Sequence, residues 1–403
     1  ALPIYRQRIV RMLLLHHREI DGLAVEARRR AGFQAALRQV QFLEAGCQRH
    51  RRRVAHAAAR VVFQTDVDLA VEEGAGGQYH GLGHEADAEL GDGAAHLVAL
   101  DDQVVAGFGK NGQVGWELQR ALAPLGDFIA LDRHGLAGLS GDMTQPQAIY
   151  NTIMTVKPDV VVNAAAYTAV DLAETEQDQA DLVNHQTVKA AAEACQQVNA
   201  LFVHYSTDYV FDGLGQTSFL ETDRIAPLNV YGQTKVQGEQ AIIASGCDYL
   251  IFRTSWVYAA RGKNFLKTML NLAQQREELS IIDDQVGAPT SAELIADITA
   301  QAIPQTVADS MKTGVYHLVA SGETSWFGYA NYVFEQARVF GLELAVQKVN
   351  PIPTMTYPTP ATRPHNSRLN NQKLQQTFRL NLPHWQEGVK RILYSYALKL
   401  ILQ

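Results

Sequence analysis

Short apolar runs rich in β-forming residues, Phe128-Ile-Ala-Leu131, Val160-Val-Val162, Leu201-Phe-Val203 and Leu250-Ile-Phe252, alternate after residue 107 with helix-compatible stretches such as 114–123 and 186–197. Apolar runs of this length, separated by helices, predict buried parallel strands joined by right-handed crossovers. The fold class expected is therefore α/β, a Rossmann-type doubly wound parallel sheet. Ligands of such sheets bind at the carboxyl ends of the strands, so the residues that close each run are the first place to look for chemistry.

Residues 1–106 do not share this pattern. The first lysine is Lys110, the first asparagine Asn111 and the first serine Ser140, although all three types are common afterwards. The stretch is rich in Arg, Ala, His and Gly, with a basic cluster at 49–53 and a glycine and acidic run at 72–93 that has neither helix nor strand period. We read 1–106 as an atypical leader, poorly ordered or non-native, and 107–403 as the functional domain. The first strand, Asp102-Gln-Val-Val-Ala-Gly107-Phe108, is weak for a buried position because of Gly107 and the polar residues before Val104.

The net charge of −7 supplies no general attraction to nucleic acid or to an anionic membrane. Three cysteines, Cys47, Cys195 and Cys247, are odd in number and widely spaced, which predicts neither a disulfide framework nor a zinc site and fits a cytoplasmic protein. The most apolar early run, 9–15, is too short to span a bilayer.

Gly109-Lys-Asn-Gly112-Gln-Val-Gly115 carries glycines three apart and leads into a helix. Such a turn lets a pyrophosphate approach backbone N–H groups at a helix N-terminus. Gln113 and Val114, between its last two glycines, are expected to contact the cofactor with it. Asp132, about 20 residues on and closing the second strand, is placed to accept from the adenosine ribose hydroxyls. Arg133 follows and is placed to meet a 2′-phosphate, so NADH and NADPH both stay open.

Tyr231 and Lys235 lie four apart, on one face of a helix, where the ammonium is expected to lower the phenol's pKa and make it a proton-exchanging group. By spacing alone such a pair is more often an ordinary surface pair. The strand ending in Ser206-Thr-Asp-Tyr-Val-Phe211 changes that weighing: Thr207 is expected to orient a substrate oxygen, and Asp208 to meet a substrate hydroxyl or cap a turn.

Together with Asn163-Ala-Ala-Ala-Tyr-Thr-Ala-Val-Asp171, Pro227-Leu-Asn-Val-Tyr-Gly-Gln-Thr-Lys235, Arg253-Thr-Ser-Trp-Val-Tyr258, Asp283-Asp-Gln-Val-Gly-Ala-Pro-Thr290 and Arg363-Pro-His-Asn-Ser-Arg-Leu369, these segments resemble the extended short-chain dehydrogenase/reductases. Within them they are most similar to the bacterial dTDP-4-dehydrorhamnose reductases, over residues from about 108 to about 391. The resemblance implies NAD(P)H-dependent reduction of the 4-keto group of dTDP-4-dehydro-β-L-rhamnose, in dTDP-rhamnose biosynthesis for cell-surface polysaccharide such as O antigen. It implies a catalytic set of Thr207, Tyr231 and Lys235, with Asn163, Ala164, Ala165 and Ala166 backing the cofactor. It further implies that Trp256 packs on the sugar, that Arg363 and Arg368 line the substrate side, and that the smaller substrate-binding part lies mainly in 253–403. The family can hold magnesium at a homodimer contact through three glutamates; Glu117 and Glu293 match two, whereas the third position is Ser395. Two alternatives remain: a sugar-nucleotide epimerase or dehydratase, which recycles its nicotinamide, and a non-catalytic relative that serves as a regulatory subunit of methionine adenosyltransferase.

Overall fold

The computed structural model describes residues 103–401; the expectations for the leader and for Cys47 fall outside the described residues. Six parallel strands form the central sheet: β1 Val104–Phe108, β2 Asp127–Leu131, β3 Val160–Asn163, β4 Leu201–Thr207, β5 Tyr249–Thr254 and β6 Gly314–His317. Their order is β6-β5-β4-β3-β1-β2, and every pairing is parallel. The chain leaves β1 toward one edge, through β2, and then returns to build the other side from β3. The switch point, and with it the ligand crevice, falls between β1 and β3.

The strands are buried on both faces because alternate residues supply two cores. Val160, Val162, Leu201, Val203, Leu250 and Phe252 join Leu118 and Leu122 of α1 (Gln113–Leu122) and Ile295, Ile298 and Ile303 of α5 (Ala292–Ala308). Val161, Phe202 and Ile251 point the other way, against Ile149 and Ile153 of α2 (Pro146–Val156), Val188 and Ala191 of α3 (Thr187–Val198) and Ile242 of α4 (Val230–Ser245). Each Val, Leu, Ile or Phe among them removed from water contributes roughly 1.5–3 kcal/mol, and a one-residue slip of a strand would turn its apolar set to the wrong face.

The first strand forms over Val104–Phe108. Val104 to Phe108 pair in register with Asp127 to Leu131 on one side, and Val105 to Phe108 with Val160 to Asn163 on the other. Gly107, expected to weaken it, has a packing reason: a Cβ there would stand 2.5 Å from the Phe128 ring. The sheet thus begins at Val104, before the boundary expected at 107.

A third core, around Tyr258, Leu266, Tyr329, Val333 and Trp385, belongs to the smaller part, built from helices Phe265–Gln275, Trp326–Val339 and Trp385–Ile401. The division at 253 is not clean, because α5 and β6 return to the main sheet from within that later stretch. β6 was not expected from the sequence. Among the described residues no helix is long and apolar enough to cross a membrane.

Candidate active site

A cleft of about 1000 Å³ opens at the carboxyl ends of β1, β3, β4 and β5. Gly109, Gly112, Gln113 and Val114 form one wall, Ala164, Ala165 and Ala166 the floor beside them, and Thr207, Asp208, Tyr231, Lys235 and Trp256 the far side.

The glycines have separate jobs. Gly109 sits at φ +84°, and a Cβ on Gly115 would lie 2.0 Å from the Gly109 carbonyl oxygen, so both are needed to close the turn. At Gly112 a Cβ would meet that oxygen at 3.3 Å and little else, so the hydrogen there keeps the cradle open. No side chain caps the N-terminus of α1, leaving its first N–H groups for an anion. The buried hydroxyls of Ser206 and Thr254, on the cleft wall, have no partner among the described residues. Turn, uncapped helix and waiting hydroxyls fit a dinucleotide.

Asp132 and Arg133 do not line the cleft. Asp132 accepts from Asn111 Nδ2 at 2.8 Å and from the His134 N–H at 2.9 Å, and lies 3.4 Å from Lys110 Nζ. The His134 N–H above all, together with Lys110 and Asn111, holds its carboxyl below the usual range. These contacts tie Asp132 to the glycine turn, and Asn111, which sequence reasoning passed over, is the member of this group that reaches the cleft.

Thr207, Tyr231 and Lys235, expected to act together, line the same cleft. Asn229 caps α4 by accepting from the Gly232 N–H at 2.8 Å, which starts the helix one residue before Tyr231. A Cβ on Gly232 would come within 2.3 Å of the Tyr209 carbonyl oxygen, so glycine seats this first turn against the end of β4. Tyr231 then meets Tyr209 edge to face at 5.5 Å. Thr207 donates to Asp208 Oδ1 at 3.0 Å and accepts from the Tyr209 N–H at 3.2 Å.

The electrostatics correct one expectation. Burial pushes the Tyr231 phenol up to about 12, against the pull of the adjacent Thr207 hydroxyl, whereas a lowering by Lys235 was expected. Lys235 instead meets the Tyr205 carbonyl at 2.6 Å and His204 Nε2 at 3.0 Å, and burial lowers it to about 8. Desolvation of the phenolate outweighs the Thr207 hydroxyl, and the Asp208 charge pushes the same way as burial. Burial also raises Asp208 to about 6, with Ser367 and Thr207 pulling back.

On the substrate side, Trp256 lines the cleft but stacks on Trp326, centroids 3.6 Å apart and planes 12° off parallel. One of its faces is therefore taken, and Trp326, missed in the sequence, joins it at the cleft wall. The Trp256 backbone is left-handed, φ +50°, a conformation uncommon outside glycine and frequent at functional sites. Arg363 lines the cleft with both terminal nitrogens on Asp171 at 2.8 Å. Arg368 does not reach it: its Nε donates to Glu323 at 2.8 Å. A second cleft of about 910 Å³ continues from the first through Tyr209, Trp256 and Trp326, and contributes Arg276. The paired guanidiniums expected at 363 and 368 are thus not brought together.

Comparison with known proteins sharpens this. The family model described as RmlD substrate binding domain matches residues 104–398. A dTDP-4-dehydrorhamnose reductase from Escherichia coli (strain K12) is 58% identical over 286 residues, 71% of this chain and 95% of that protein. The chain belongs to the dTDP-4-dehydrorhamnose reductase family. A solved dTDP-4-dehydrorhamnose reductase from Bacillus anthracis str. Ames, in complex with NADP, is 34% identical with TM-score 0.65, covering 73% of this chain and 99% of that one. A UDP-glucose 4-epimerase from Thermus thermophilus complexed with NAD has TM-score 0.59, covering 72% of this chain and 97% of that one, but is 18% identical. It shares the fold alone.

Glu117 and Glu293, the two positions that the resemblance marked for a metal, are neighbours across α1 and α5. Burial, and then the Glu293 charge, raise the Glu117 pKa. Arg120 lies 3.8 Å from Glu117, and Arg391 3.1 Å from Glu293. Ser395 spends its hydroxyl on the Arg391 carbonyl at 3.2 Å. Two arginines thus balance the two carboxylates, and among the described residues no group of three or more His, Cys, Asp or Glu side chains is arranged to hold a metal.

Proposed function

We propose that this chain reduces the 4-keto group of dTDP-4-dehydro-β-L-rhamnose to the alcohol of dTDP-β-L-rhamnose with NADPH or NADH, a step of dTDP-rhamnose biosynthesis. The observation that carries this reading is the meeting of Thr207, Tyr231 and Lys235 in the cleft that also holds the Gly109 to Val114 turn.

The uncapped end of α1 and Gly112 receive the pyrophosphate, and Ala164, Ala165 and Ala166 back the dinucleotide. The reduced nicotinamide, when bound, supplies the hydride. Tyr231, a phenol already protonated at neutral pH and pushed further up by burial, is in the state a proton donor needs when a ketone becomes an alcohol. Thr207 orients the sugar oxygen toward that phenol, a positioning effect. Trp256 and Trp326 form the aromatic wall against which the apolar face of the sugar rests, and Arg363 supplies positive charge toward the diphosphate.

Further parts of this reading are that 104–403 is the catalytic unit, that it works in the cytoplasm, and that two copies pair through the surface carrying Glu117 and Glu293. Size-exclusion chromatography with and without magnesium tests the pairing, and activity of a chain starting at residue 103 tests the boundary.

The deciding experiment mixes enzyme, NADPH or NADH and the keto-sugar nucleotide. One coenzyme should be oxidised per sugar reduced. Sugar conversion without net coenzyme oxidation would establish an epimerase instead.

A further inference from the structure

Beneath the cleft lies a chain of three buried polar side chains: Asn163 at the end of β3, His204 in β4 and Lys235 in α4, each no more than 1% exposed. Asn163 Nδ2 lies 3.2 Å from His204 Nδ1, and Lys235 Nζ lies 3.0 Å from His204 Nε2. The orientation of the first link is set by its other end, because Asn163 Oδ1 accepts the Ala165 N–H at 3.0 Å. With the oxygen so used, it is the amide nitrogen that faces the imidazole, and an amide nitrogen only donates.

The protonation states follow from donor and acceptor counting. His204 is neutral, since full burial presses its pKa well below the ordinary value. A neutral imidazole has one N–H and one lone pair. Asn163 claims the lone pair on Nδ1, so the proton is on Nε2, pointing at Lys235. An ammonium has three donors and no acceptor; against Nε2–H it makes a donor-to-donor contact. A free amine accepts that N–H and still donates to the Tyr205 carbonyl, 2.6 Å away. Every group in the chain is satisfied only with the amine.

We infer that His204, its tautomer fixed by Asn163, is a positioning residue that biases Lys235 toward the uncharged amine in the cofactor-free site. The ammonium is accommodated when the Asn163 amide turns over and releases the Ala165 N–H, so the charge of Lys235 is tied to the loop of Ala164, Ala165 and Ala166 at the cleft floor.

The other groups around Lys235 do not reverse this bias. Glu239, one turn further along α4, favours the charged lysine, but its carboxylate is held by Arg253 of β5 at 2.9 and 2.6 Å. Tyr231, one turn back, keeps its proton. Asp208, the carboxyl at the end of β4, interacts with Thr207 and Ser367. Burial acts in the same direction as the tautomer and brings Lys235 down to about 8.

The inference deepens the reductase reading and rests on it for its kinetic test alone. His204→Gln places a rotatable amide where Nε2 stands, and its oxygen accepts from an ammonium. A hydrogen bond to a charged group is enough to raise the Lys235 pKa by about one unit. The basic limb of kcat/KM should therefore move up by about that much while kcat near neutrality changes less than about threefold; an unmoved limb in an active variant overturns the proposal. The second measurement needs neither variant nor substrate: nitrogen chemical shifts of the His204 imidazole in the full chain without cofactor. The Nε2–H tautomer is expected, and the Nδ1–H tautomer overturns the proposal. Failure of the reductase reading would appear as absent turnover and leave this spectrum unaffected.

Discussion

Arg363 lays both terminal guanidinium nitrogens against the two carboxylate oxygens of Asp171, each at 2.8 Å, and joins segments 192 residues apart. Asp171 also accepts the Ala361 N–H at 3.2 Å, so one carboxylate anchors the Arg363 segment at the mouth of the cleft. The pair is partly exposed, so its worth lies in placing the guanidinium more than in stability. Asp171→Asn should raise KM for the sugar nucleotide about tenfold, the equivalent of one charge-assisted hydrogen bond, with kcat within about twofold. Steady-state kinetics separate the two, and a fall confined to kcat would contradict the assignment.

Tyr231→Phe removes the hydroxyl proposed as the proton donor and leaves the helix and its packing in place. A general acid contributes about 10²- to 10⁴-fold, so kcat should fall by that range while NADPH affinity, read by fluorescence titration, stays within about twofold. Unchanged turnover would show that another group donates the proton.

Two glycines of the turn should behave differently. A Cβ on Gly115 would collide with the Gly109 carbonyl at 2.0 Å, so Gly115→Ala should destabilise the turn itself and lower the unfolding midpoint. At Gly112 the Cβ meets only a 3.3 Å contact, so Gly112→Ala should fold normally yet bind coenzyme at least about tenfold more weakly because it fills the cradle. Equal coenzyme affinity in Gly112→Ala and wild type would remove the pyrophosphate from this wall.

Asp208 gives a pH test. Its folded pKa is raised by burial to about 6 from the ordinary 3.8, so the folded state holds a proton that the unfolded chain has lost between those values. Stability must then fall as pH rises through this window. Relative to Asp208→Asn, wild type should lose about 2 kcal/mol between pH 4 and pH 7, measured by urea unfolding. A difference that does not change with pH would mean the carboxyl is not desolvated.

Arg253 and Glu239 form a bidentate pair, with Nε and Nη2 at 2.9 and 2.6 Å from the carboxylate and side chains 3% and 2% exposed. Breaking one side leaves a buried charge unpaired. Glu239→Gln should therefore cost about 3–5 kcal/mol of unfolding free energy, and because the pair fastens α4 to β5, turnover at temperatures near the lowered midpoint should fall with it. A loss under about 1 kcal/mol would show that water reaches the arginine.

The local features of the site were legible because each is written in a short stretch of chain. Glycines three apart make the turn, an i,i+4 pair puts Tyr231 and Lys235 on one face, and alternating apolar runs make strands that end in Asn163 and Thr207. Five of the six sheet strands could be placed in this way. β6 could not, since Gly314–His317 is a short edge strand with little pattern of its own, and its place is decided by pairing with β5. Gly107 read as a defect because the Phe128 ring that fills its space comes from the next strand.

What the sequence determined by itself was the fold class, the family, the cleft edge and the presence of Thr207, Tyr231 and Lys235 along one cleft, because motifs name the family and spacing along a helix or strand fixes which side chains share a face. Tertiary structure decided which charged groups face one another and how far water is excluded. It turned Arg368 to Glu323, gave Arg363 to Asp171, covered one face of Trp256 with Trp326, and set Asp132 to bracing Lys110 and Asn111. It also reversed the expected direction for Tyr231, because the cost of burying a phenolate depends on the whole surrounding shell and not on the lysine four residues away.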